Sequence, residues 1–145
     1  HPQDTHNLMI EAGKLKKGVA VNIGNPHVIF FCENLVETQL LEDCEKVSKM
    51  KIFPSGVNIS IIKVENKNKI NLITYERGCG FTQACGTAAC ASVVVCNKLD
   101  LCEKRTNVLM RGGKLIIDYL SDGHVLMTGP VSKVCEGTFN ESNFT

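Results

Sequence analysis

The chain has 145 residues and a net charge of +1, with acids and bases interspersed, which fits one domain. That balance shows neither the footprint of a nucleic-acid binder nor a basic membrane patch, and no apolar run approaches the ~20 residues of a membrane span. A domain of this size buries roughly 68–70 % of its unfolded surface and needs no staples.

Asn7–Glu11 reads as a short strand ending at Gly13, and Gly18–Ile23 alternates as a strand should. Gly24-Asn25-Pro26 breaks it, because Pro26 has no N–H and restricts the residue before it. Val28–Cys32 is then a buried strand. After a connection over Asn34–Gln39, Leu40, Leu41, Cys44, Val47 and Met50 recur at helical spacing. Glu42, Asp43, Glu45, Lys46 and Lys49 between them read as a solvated face.

Phe53-Pro54-Ser55-Gly56 is a turn. Val57–Val64 and Ile70–Tyr75 are strands joined by a polar hairpin tip at Asn66–Lys69. Gly86–Leu99 is almost free of charge and longer than a typical strand, so it reads as a helix buried on every face. Val93-Val94-Val95 argues for a strand, since β-branched runs favour one. Val108–Met110, Leu115–Leu120 and Val125–Thr128 follow as strands, with hairpin turns at Gly112-Gly113 and Asp122-Gly123. Val131–Gly137 is expected as a last strand and Phe139–Thr145 as a loose tail. Many short strands, one buried helix and one surface helix make an α+β domain, a curved and mostly antiparallel sheet wrapped around the central helix.

Eight cysteines are a high count. Several lie in apolar runs, which suits reduced core residues. A disulfide framework suits a smaller secreted chain, and a zinc site usually shows C-x2-C pairs, which are absent here. No metal is assigned. Cys85 stands apart, because it directly precedes the buried helix. Free N–H groups and the positive end of the helix dipole favour its thiolate, the reactive form. The N–H groups of Gly86 and Thr87 could hold a carboxylate. Just upstream, Glu76-Arg77 supplies an anion and a fork-shaped cation at a strand end. Together these suggest a site for a small zwitterion. The plain alternative is that Cys85 is a buried small hydrophobe.

Four motifs stand in order: Gly24-Asn25-Pro26-His27, then Asn58, then Glu76-Arg77-Gly78 followed by Ala84-Cys85-Gly86-Thr87, and finally Met127-Thr128-Gly129-Pro130. In order and spacing they resemble the C-terminal half of diaminopimelate epimerase, over nearly the whole chain from about Gly18 to Gly137. The resemblance implies a connecting segment over 1–17, a C-terminal epimerase domain over 18–138 and a tail over 139–145. It implies one of two pseudo-symmetric halves, with the site in the cleft between them. The partner would be the missing N-terminal half; a homodimer is left open. The implied reaction interconverts LL- and meso-diaminopimelate without a cofactor, in the lysine and cell-wall biosynthesis of the bacterial cytoplasm. Each half gives one cysteine, so that one takes the α-proton and the other returns a proton to the opposite face.

Carried over by the resemblance, Cys85 would be the catalytic acid/base. Gly86 and Thr87 would offer N–H groups to the reacting carboxylate. Arg77, Asn25 and Asn58 would bind the distal carboxylate, and Glu76 an ammonium. His27 and Glu76 would tune the cysteines. Phe81, Cys79 and Ala88 depart from the family's usual residues, but none carries an assigned role. Two other functions compete: a proline-racemase-like isomerase of the same fold, and a non-catalytic thiol or ligand-binding module.

Overall fold

The structure, a computed structural model, describes residues 8–140 and residue 142. Residues 1–7, which hold the first part of the expected 1–17 segment and Asn7 of the first strand, and residues 141 and 143–145 of the tail lie outside the described residues. Eleven elements follow in order: β1 (Leu8–Ala12), β2 (Leu15–Asn22), β3 (Pro26–Phe31), α1 (Glu37–Ser48), β4 (Asn58–Asn66), β5 (Lys69–Glu76), β6 (Gly80–Thr82), α2 (Gly86–Lys98), β7 (Arg105–Met110), β8 (Gly113–Tyr119) and β9 (Val125–Thr128). No helix among the described residues is long and apolar enough to cross a membrane.

The strands form one sheet in the order β1-β2-β3-β4-β5-β7-β8-β9, with β6 also on β5. Most neighbours are antiparallel, as the hairpin signals require. The two parallel pairs are β3/β4 and β5/β7, and each is bridged by a helix, because parallel neighbours need a long crossover. β5 divides one edge between two partners. Lys69–Asn71 pair with β7, while Thr74–Glu76 pair with β6.

α2 is apolar all round because it is covered all round. It touches β2, β3, β4, β8 and β9. Ala88, Ala89 and Ala91 are fully buried, and Val93, Val94 and Val95 nearly so. Burial of the whole segment overrides the strand preference of the valines. α1 covers the opposite sheet face through Leu40, Cys44 and Val47. Alternate strand residues therefore enter different cores. In β3, Val28 and Phe30 face α1 while Ile29 faces α2, and all three are fully buried. Such a strand reads as a continuous apolar run rather than an alternating one.

Three expectations need correction. Val131–Gly137 is not a strand: it pairs with no other segment, and Val131 and Val134 are 95 % and 93 % exposed. Two valines in a short segment after Gly129-Pro130 suggest a strand, but no partner edge is offered to it among the described residues. The surface helix begins at Glu37, before its apolar periodicity does, because its first turn is polar. Asp43 is not on the solvated face; it is buried and accepts the Lys14 backbone N–H on Oδ2 at 2.9 Å. It thereby ties α1 to the β1–β2 turn. The short strand β6 was not expected at all.

Candidate active site

Register places the site before any side chain is considered. Val21 sits opposite His27, and His27 opposite Asn58. Ile59 faces Tyr75, so one step along puts Asn58 beside Glu76, which faces Gly80. His27, Asn58 and Glu76 therefore form one row across β3, β4 and β5. Their side chains share the face of Ile29, Ile62 and Leu72, which packs on α2.

Cys85 is the N-cap residue of α2, in extended conformation with φ −141° and ψ 111°. Its carbonyl accepts the first intrahelical bond, from the Ala89 N–H at 3.1 Å. The N–H groups of Gly86, Thr87 and Ala88 thus have no acceptor within the helix. Gly86 lies close under β9: a Cβ there would sit 2.8 Å from the Met127 sulfur, so a larger residue would push that flexible side chain aside. Met127 roofs the helix start.

A relay of hydrogen bonds runs from the sheet to this sulfur. His27 Nε2 lies 3.1 Å from Asn25 Oδ1, Asn25 Nδ2 lies 3.4 Å from Thr87 Oγ1, and Thr87 Oγ1 lies 3.4 Å from Cys85 Sγ. The donors can be ordered. Asn25 Oδ1 only accepts, so His27 carries its proton on Nε2. Asn25 Nδ2 only donates, so Thr87 accepts there and its own proton is free for Cys85. The relay ends in a hydroxyl aimed at sulfur. With Nε2 protonated, His27 Nδ1 is a bare acceptor, buried and without a partner.

His27 is 1 % exposed. Burial lowers its pKa from 6.5 to about 4, against the opposing pull of the Glu76 carboxylate. The imidazole is therefore neutral in the folded protein at pH 7. The sign of the linkage follows. Below pH 6.5 the unfolded chain binds a proton that the native chain refuses, so stability falls with pH until about pH 4. The full loss is on the order of 3 kcal/mol. Urea titrations of His27→Gln and the parent chain at pH 7.5, 6, 5 and 4 check this; the variant should lose this part of the slope, and parallel curves would refute it.

The other expected residues are held differently. Glu76 Oε1 accepts from the Thr82 hydroxyl at 2.5 Å. Asn58 donates to the Pro26 carbonyl at 3.3 Å and accepts the Arg77 backbone N–H at 3.1 Å. The Arg77 guanidinium donates to the Ser55 carbonyl at 2.7 Å. A Cβ at Gly56 would lie 2.6 Å from Arg77 Cδ, so this loop is shaped around the arginine stem. Thus Cys85, Thr87, Asn25 and His27 form one connected network, with Asn58 and Glu76 in the adjoining row. The Arg77 side chain turns away to the Ser55 loop. A groove of about 420 Å³ reaches His27 from Val21, Asn22, Val94 and Lys98, but neither Cys85 nor Arg77 lines it.

Ser55, Thr82 and Met127 escaped the sequence reading. Thr82 lies on β6, which has too few residues for a periodicity, and the bonds of Ser55 and Met127 depend on tertiary approach. Met127 did fall within a quoted motif, yet without a role.

Comparison with known proteins identifies the family. The family model described as diaminopimelate epimerase matches residues 19–134. A diaminopimelate epimerase of Bacillus licheniformis is 43 % identical over 133 residues, covering 90 % of this chain and 47 % of that protein. One of Bartonella tribocorum is 44 % identical over 138 residues, covering 94 % and 49 %. One of Zymomonas mobilis is 33 % identical over 145 residues, covering 100 % and 54 %. The chain thus spans about half the length of the curated relatives it matches. Among solved structures, a PhzF-family phenazine biosynthesis protein of Bacillus anthracis superposes with a TM-score of 0.55 at 19 % identity, covering 73 % of this chain and 34 % of that one. One of Enterococcus faecalis gives 0.52 at 14 % identity, covering 79 % and 38 %. These two likenesses show a shared fold. On the match over residues 19–134, the chain belongs to the diaminopimelate epimerase family.

Proposed function

We propose that this chain is one half of a cofactor-independent epimerase that interconverts LL- and meso-diaminopimelate, with Cys85 as one of its two proton-transfer groups. Such an enzyme serves lysine and peptidoglycan synthesis in the bacterial cytoplasm. The observation that carries the reading is the ordered relay from His27 through Asn25 and Thr87 to the sulfur at the start of α2.

In one direction the Cys85 thiolate takes the substrate's α-proton and becomes a thiol. In the other it begins as a thiol and gives that proton up. The opposite face is served by a cysteine of the other half. Removing an amino-acid α-proton without a cofactor places negative charge on the α-carbon and its carboxylate. The free N–H groups of Gly86 and Thr87 are fixed before the reaction and stabilise that charge without reorganising. Thr87 donates to the sulfur while it is anionic, and Asn25 and neutral His27 keep Thr87 in that orientation. Exclusion of water by a second half laid over Met127 and the helix start would strengthen each of these interactions.

Glu76, steadied by Thr82, is suited to an ammonium group. Arg77 and Asn58 are suited to a distal carboxylate, with the guanidinium exchanging the Ser55 carbonyl for the stronger, charge-assisted bond. Asn25 has both amide groups engaged in the relay, so binding a carboxylate would exchange Thr87 for the ligand.

The chain alone, with one of the two proposed proton-transfer cysteines, should not epimerise diaminopimelate. Proton NMR in deuterated water, following loss of the α-hydrogen signal of the LL isomer and appearance of the meso isomer, makes the test. The two-half protein should show both, and the isolated chain neither. Turnover by the isolated chain at the two-half rate would end the two-base reading. Failure of the two-half protein on diaminopimelate, with activity on proline, would replace the substrate.

A further inference from the structure

The relay uses one cysteine of eight, and two others share a core cluster at the far end of α2. Cys96 is in the last turn of α2, and Cys102 is in the segment leading to β7. Between them the helix ends in a Schellman turn. The Leu101 N–H donates to the Cys96 carbonyl at 2.8 Å, and the Asp100 N–H to the Asn97 carbonyl at 3.0 Å. Asp100 takes the left-handed conformation, φ 57°, that this turn needs. The turn folds the chain back onto its own helix, and Asn97 Nδ2 fixes the return by donating to the Cys102 carbonyl at 3.0 Å. As a result, the Cys102 sulfur lies against the last turns of α2, where its thiol donates to the Val93 carbonyl at 3.8 Å, three residues before Cys96. Both are buried in the α2 core, Cys102 beneath the exposed Leu101.

We propose that Cys96 and Cys102 are a redox-active thiol pair that closes to an intramolecular disulfide under hydrogen peroxide, fastening the C-terminal end of α2 to the segment entering β7. The turn between them is fixed by its hydrogen bonds, and Cys102 already packs on the helix within a turn of Cys96, in the same core cluster, so closing to the ~2.05 Å of a disulfide needs only a local approach. No other assigned role uses them. Cys85 is eleven residues back along the same helix, roughly 16 Å away, so the pair is separate from the relay. Cys44 lies in the other core, where burial and the neighbouring Asp43 push its pKa up to about 12; that thiol stays protonated and inert.

The order of events follows from the surroundings. The neighbouring Cys96 lowers the pKa of Cys102, and the Thr106 hydroxyl and the Lys67 ammonium, held on the Asp100 carbonyl, add to this against burial and the Glu103 charge. The Cys102 side chain and burial raise Cys96. Cys102 therefore loses its proton first. Its thiolate attacks one peroxide oxygen, the O–O bond breaks, and the departing hydroxide takes up a proton as water. Cys102 is then a sulfenic acid. The Cys96 sulfur attacks the Cys102 sulfur, the S–O bond breaks, and the hydroxide leaves as water with the Cys96 proton. Two thiols lose two electrons and one peroxide becomes two waters.

Trypsin makes the test direct, because Lys98 lies between the two cysteines. Native chain is treated with hydrogen peroxide, free thiols are blocked with N-ethylmaleimide, and the digest is read by tandem mass spectrometry. The expected product joins the peptide 78–98, through Cys96, to the peptide 99–104, and a reductant separates them. Cys96→Ser or Cys102→Ser should abolish the link, and Cys79→Ser with Cys135→Ser should leave it. Recovery of Cys96 and Cys102 both blocked, at a peroxide dose that oxidises the exposed Cys79 and Cys135, would overturn the proposal. So would a link from Cys102 to any other cysteine.

Discussion

Cys85→Ser in the two-half protein is expected to lower kcat for diaminopimelate epimerisation by about 10²–10⁴-fold, the usual worth of a positioned proton-transfer group. Serine keeps the size and a hydrogen-bonding atom but is far too weak an acid to hold a proton as loosely as a thiol does. The loss should not be a folding effect. Cys85 is an N-cap without a side-chain cap bond, and serine is among the preferred residues there, so α2 should be as stable or slightly more so. Thermal unfolding followed by circular dichroism supplies that control. The decisive measurement is wash-in of deuterium at the α-carbon, started separately from the LL and meso isomers. A variant that folds normally and keeps a tenth or more of the parent rate would remove Cys85 from the chemistry. Loss of both activity and helix would instead make it a packing residue.

The second large effect is expected in the opposite core. Phe30→Ala should destabilise the chain by about 3–5 kcal/mol, a large part of the 5–15 kcal/mol that holds an ordinary domain together. Phe30 is fully buried on the α1 side of β3. The ring is matched by a missing side chain opposite it: a Cβ at Gly18 would lie 2.9 Å from Phe30 Cε1 and 2.7 Å from Val28 Cγ2. Gly18 has no side chain that could fill the space left by the ring, so the cavity would stay. Urea unfolding at pH 7.5, where His27 does not contribute to the pH slope, gives the value. A cost below 1 kcal/mol would show that the strand can shift to close the gap. The variant also bears on the site, because Val28 and Phe30 hold the strand that carries His27.

Much of the fold was legible because burial leaves a local trace. The α2 segment carries no charge before Lys98 in its last turn, a composition that suits a helix covered on every side. Cys85 at its start followed at once, and so did the hairpins, since Gly112 and Asp122-Gly123 mark chain reversals by themselves. Val131–Gly137 misled for the complementary reason. It carries β-branched valines, which favour strands, but a strand exists only where another edge is offered, and nothing in the segment reports that.

What the sequence alone determined is the set of parts: the helix, its leading cysteine, the asparagines, the histidine, the carboxylate and the guanidinium. Their connection was decided by the tertiary structure. Register sets His27, Asn58 and Glu76 in one row; the packing of α2 on that row brings Thr87 to Asn25; a left-handed Asp100 turns Cys102 back onto the end of α2. Each is a contact between residues distant in sequence or reversed by a turn. Hydrophobic periodicity records which side of an element is buried and carries no record of what it is buried against, so the relay and the thiol pair become visible only when the sheet and its helix are assembled.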